Sequence, residues 1–176
     1  MKRLVPFSNA IVALILTWSF VPTQTPAQEL ATVQVNAQLS SVTARAIGTA
    51  RTHHFVVDAP PPLSGPNEAL NPIEMLLSAL ATCGVLVSEK VAQEMHVPLT
   101  AATAAVEGDL DPRGVRGEPV DPRLQAFRVL LTLAGPTAAQ ADSLAEAVRT
   151  RCPIYTTLER AAPIALALQV VSPAED

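Results

Sequence analysis

Three features of this 176-residue chain predict an α+β fold. Strand-like and helical segments come in the order βββ-α-ββ-α-β, with strands clustered rather than alternating with helices. Residues 71–95 read as one long apolar helix with a start and a stop signal. Residues 124–133 alternate cleanly, placing Phe127, Val129, Leu131 and Leu133 on one face of a half-buried strand. The length suits a single domain with a sizeable core. Aromatics are only 3% of the chain, so Ala, Leu and Val must fill that core.

The N-terminus comes first. Lys2 and Arg3 precede an apolar run over 10–21, and Thr25 and Ala27 supply small residues for a cleavage site. Residues 1–27 are therefore expected to be a signal peptide, leaving 28–176 as the folded domain in a periplasmic or secreted protein. An uncleaved anchor is the alternative, but the run is short for a span of about 20 residues. Export places the chain where disulfides persist.

Residues 29–39 alternate loosely and predict a first strand. Residues 42–47 and 51–58 predict a second and third, with Gly48 in a turn between them. A Pro/Gly/Asn-rich loop over 59–72 leads to the central helix. Asn71 is its N-cap, Pro72 its first residue, Glu74 lies in its first turn, and Pro98 stops it. Its apolar stripe comprises Ile73, Leu76, Leu77, Leu80, Gly84, Val87 and Val91, thickened by small residues that allow another backbone close approach. A strand over 99–106, a charged loop over 108–122 and the strand over 124–133 follow. Residues 137–150 predict an amphipathic helix burying Ala141, Leu144, Ala145 and Val148. A short helical segment over 153–160 and a last strand over 164–171 complete the chain.

The chemistry rests on two cysteines, Cys83 and Cys152. Two distant cysteines in an exported chain suggest a disulfide, structural or redox-active. Cys83 lies on the helix stripe about three turns in, where the macrodipole has faded, so it ionises only if Arg51, His53 or His54 supplies a cation. Without one it is a small buried hydrophobe. Cys152, followed by Pro153 and flanked by Arg149 and Arg151, reads as a helix N-cap in an electropositive setting that suits a thiolate. The plain alternative is a cap with solvated arginines. His53, His54 and His96 have no metal-ligand spacing. The net charge of −4, with basic residues scattered, recommends no nucleic-acid partner. No carboxylate-pair or Ser/His/Asp pattern stands out.

The segments NPIEMLLSALATC (71–83), VEGDLDPRG (106–114) and RCPIYTTLERAAPIALAL (151–168) together resemble the OsmC/Ohr family of cysteine-based peroxidases. The resemblance runs from about Arg51 to Val171. It implies antiparallel sheets wrapped around two long central helices in an intertwined homodimer, with active sites near the dimer interface and no cofactor. It also implies reduction of organic hydroperoxides or hydrogen peroxide, with Cys83 attacking and Cys152 resolving. The partners implied are a peroxide substrate and an external dithiol reductant, with no membrane association once the leader is removed.

In that family an Arg from the N-terminal meander and a Glu near the helix start hold the thiolate. Arg51 and Arg45 are the candidates here for the first, and Glu74 for the second. The Ohr-branch carboxylate stands where this chain has Ile73. At about 100° per residue Glu74 points away from Cys83 on its own helix. The second reading is a non-catalytic dimer whose apolar groove takes a small lipid-like ligand, or a stress-associated structural protein.

Overall fold

The computed structural model describes residues 30–172, of which residues 34–172 belong to one compact unit. The predicted leader lies outside the described residues. The fold is α+β, with two three-stranded sheets. The first contains β1 (Asn36–Leu39), β2 (Arg45–Ala50) and β3 (His53–Asp58), all antiparallel. After the loop comes α1 (Pro72–Glu94). The second sheet has β4 (Ala101–Asp109), β5 (Ala126–Ala134) and β6 (Ile164–Val171). A single turn, α2 (Pro112–Val115), lies between β4 and β5, while α3 (Ala138–Arg151) and α4 (Pro153–Leu158) lie between β5 and β6.

Local chemistry explains the helices. The Asn71 side chain accepts from the backbone N–H of Ile73 (2.9 Å) and Glu74 (3.0 Å), while the Asn71 N–H donates to the Glu74 carboxylate. This capping box fixes the start of α1 where the sequence predicts it. Thr137 and Gln140 build the same device at α3. The buried stripe of α3 holds the expected Ala141, Leu144, Ala145 and Val148. Ala141, Leu144 and Val148, with Leu80 and Val91 of α1, share one core with Phe127, Val129, Leu131 and Leu133, the predicted inner face of β5.

Four expectations change. β1 is shorter than predicted, because β2 gives it partners only from Asn36 to Leu39. Gly48 is not in a turn. It pairs with Phe55 inside the first sheet, where a Cβ would lie 2.1 Å from the Phe55 ring, so a larger residue would have to displace that ring. The turn instead falls at Arg51 and Thr52, with Arg51 at φ 56°. β4 runs on to Asp109 because Glu107 and Asp109 both pair with Arg128 across the ladder. Finally, the second sheet is mixed rather than wholly antiparallel. The β5–β6 pair is parallel, as a crossover through α3 and α4 allows and a hairpin does not.

Candidate functional site

The crossover brings the two cysteines together. Cys83 sits in the middle of α1, and Cys152 is both the last cap of α3 and the N-cap of α4. Their sulfurs are 2.7 Å apart, although 69 residues separate them. Both are thiols, Cys83 half-buried and Cys152 fully buried at 0% exposure. The Cys152 sulfur accepts the Tyr155 N–H at 3.4 Å, so the predicted cap role is present.

The electrostatics differ from the sequence expectation. Burial and the adjoining Cys152 thiol push the Cys83 thiol up to about 11, with only the Ile154 backbone N–H opposing them. Arg149 and Arg151 do not turn toward Cys152. Arg151 makes a forked pair with Glu94 at the end of α1 (2.7 and 3.1 Å), and Arg149 reaches Glu146. The fork ties the α3–α4 junction to the helix that carries Cys83. Sequence reasoning missed it, because no local pattern links residues so far apart.

The remaining predicted residues are elsewhere. The Glu74 carboxylate is engaged in the capping box and faces solvent. Within its own chain it serves α1 rather than Cys83, as the helical spacing requires. Arg45 is also committed. Its guanidinium grips Asp58 at 2.7 and 3.0 Å and reaches Glu68 at 2.5 Å, and Asp58 also accepts the Glu68 N–H. Asp58 is fully buried, and the Arg45 guanidinium holds its carboxyl below the usual carboxylate range. This cluster anchors the loop after β3, and only the cross-strand register of Arg45 and Asp58 could have exposed it.

Arg51, by contrast, is an exposed cation at the tip of the β2–β3 hairpin, and among the described residues it has no ion pair. No hydrogen bond joins it to Cys83 within the chain. His54 shares a hydrogen bond with Thr49. Among the described residues no cluster of His, Cys, Asp or Glu could hold a metal. A mostly apolar cleft of about 650 Å³ opens near the start of α1, between Pro60, Leu63, Ile73, Leu110 and Val115.

Comparison with known proteins agrees with this architecture. Residues 65–167 match the OsmC-like protein family. An OsmC-like protein from Mycoplasma pneumoniae superposes with a TM-score of 0.69 at 18% identity, covering 80% of this chain and 98% of that one. An organic hydroperoxide resistance protein OsmC from Legionella pneumophila gives 0.63 at 17%, covering 81% and 100%. The organic hydroperoxide resistance protein OhrB of Bacillus subtilis gives 0.56 at 17%, also covering 81% and 100%. At these identities the likeness establishes the fold. No curated protein matches the chain.

Proposed function

The chain belongs to the OsmC-like protein family, and from that membership and its paired sulfurs we propose that it is a thiol-dependent peroxidase. The observation that carries this reading is the 2.7 Å separation of Cys83 and Cys152. The Cys83 thiolate attacks the terminal oxygen of a hydroperoxide, the O–O bond breaks, and an alcohol (or water) leaves as Cys83 becomes a sulfenic acid. The Cys152 sulfur then displaces water from that sulfenic acid to form a disulfide. An external dithiol restores both thiols and leaves as its own disulfide. The names of the Legionella and Bacillus relatives support hydroperoxides as the substrate class.

A thiol held near 11 does not attack peroxide at neutral pH without a cation. The reading therefore includes a homodimer. α1 is long and apolar enough to cross a membrane, yet only 28% of its apolar window is buried inside the chain, with Leu86 62% exposed. A second copy packed on that face covers it. Among the described residues, the strands of the first sheet pack chiefly against one another. Its tip carries Arg51 in a left-handed conformation that a β-turn tolerates at some cost. We place Arg51 of one copy beside the partner's Cys83, where it holds the thiolate and the departing oxygen. Arg45, bound to Asp58 and Glu68, stays structural.

The test is direct. Reduced protein treated with millimolar peroxide is expected to lose both titratable thiols and gain one disulfide, and Cys83→Ser to abolish peroxide consumption. Two thiols that stay titratable overturn the proposal. The apolar cleft near Ile73 favours the second reading, a non-catalytic dimer holding a small lipid-like ligand. Unchanged peroxide consumption by Cys83→Ser, with a fatty acid displacing a fluorescent apolar probe, would select it. If the leader over residues 1–27 is used, the reductant is an extracytoplasmic dithiol.

A further inference from the structure

The two sulfurs are unequal in access, and that inequality fixes a direction for the chemistry between them. Cys152 is 0% exposed and belongs to the buried core with Leu80, Val148 and Tyr155. Cys83 is half-buried and lies at the border of the core, one residue from the exposed Thr82. Thiol–disulfide exchange needs the incoming thiolate to reach one sulfur from the side opposite the bond that breaks. Of the two, only the Cys83 residue keeps exposed surface within the chain, and Cys152 keeps none.

We propose that reduction of the Cys83–Cys152 disulfide is polar: the external thiolate attacks the Cys83 sulfur, and Cys152 is the sulfur that departs. This rests on the couple closing and reopening as in the proposed function. In the first step a bond forms between the reductant sulfur and Cys83. The Cys83–Cys152 bond breaks, and its electron pair leaves on Cys152, which then takes a proton. In the second step the reductant's other thiolate attacks its own sulfur on Cys83. Cys83 is released and protonated, and the reductant departs as a cyclic disulfide. Two electrons and two protons pass in all.

One further observation favours the same direction. The Tyr155 N–H already points at the Cys152 sulfur from 3.4 Å and stabilises charge as it appears there.

The experiment traps the intermediate. Full-length protein is oxidised with diamide, exposed briefly to glutathione, quenched in acid and alkylated, and its peptides are weighed. Glutathione is expected on the Cys83 peptide and the alkyl group on Cys152, in about tenfold excess or more over the reverse arrangement. Equal labelling, or glutathione mainly on Cys152, overturns the polarity. Failure of diamide to close the disulfide overturns it too. Because diamide rather than peroxide makes the bond, a protein inert to peroxide still shows which sulfur is attacked. A protein that consumes peroxide but carries glutathione on Cys152 loses the polarity and keeps the proposed function.

Discussion

The sheet of β4, β5 and β6 turns Phe127, Val129, Leu131 and Leu133 into a core shared with α1 and α3. The sheet of β1, β2 and β3 has the same number of strands, yet it leaves Leu39 83% exposed and Val56 43% exposed. An ion-pair cluster of Arg45, Asp58 and Glu68 ties its β2–β3 pair to the loop that follows. The contrast separates two roles. The second sheet stabilises its own chain and sets the position of Cys152 through the β5–β6 crossover. The first presents Arg51 outward and has apolar surface to offer a partner.

The largest effect expected is in the second sheet. Leu131→Ala removes a side chain 1% exposed and should cost about 2–5 kcal/mol in denaturant unfolding. A loss below about 0.5 kcal/mol would mean that this sheet is no more the core than its counterpart. Next comes the hairpin tip. Arg51→Ala should lower peroxide turnover about 10²–10³-fold while leaving the unfolding midpoint in place. Retained turnover would reduce the first sheet to a structural role. Leu86→Glu, on the open face of α1, should weaken self-association about tenfold or more in sedimentation. A variant that dimerises as wild type would show that this face is not the seam.

The smallest effects are the pH limbs. The Asp58 carboxyl is held low by Arg45, so the unfolded chain binds its proton more readily. The Asp58 contribution to stability is therefore complete above its ordinary value of 3.8 and is lost as pH falls below it. Asp58→Asn should flatten that acid limb and speed amide exchange in the loop after β3. Cys83 has the opposite sign. Its folded value is raised, so its contribution is present below 9.0 and is lost as pH rises toward about 11. Cys83→Ser should remove that alkaline limb in thermal unfolding measured across this range.

Much of the fold was legible because its signals are local. Asn71 announced its helix through a cap that bonds within a few residues, and the apolar spacing over 137–150 announced the next. The alternation through Phe127 and Leu133 named the inner face of β5 before any partner was known. The first sheet was less legible, since Gly48 looks like a turn residue until Phe55 is laid across it. The site was legible only in part. Cys83 and Cys152 stood out as residue types in fitting contexts, but Glu74 proved to be the reciprocal half of a cap.

The sequence by itself determined the elements, their order and the two sulfurs, because periodicity and capping act over a turn or two of chain. Tertiary structure alone decided what faces what. It set the sulfurs 2.7 Å apart, drew Arg151 to Glu94 and Arg45 to Asp58, and left Arg51 at an exposed tip. The physical reason is that thiol reactivity and ion pairing depend on distance and burial between segments as many as 69 residues apart. Only the packed core fixes those quantities.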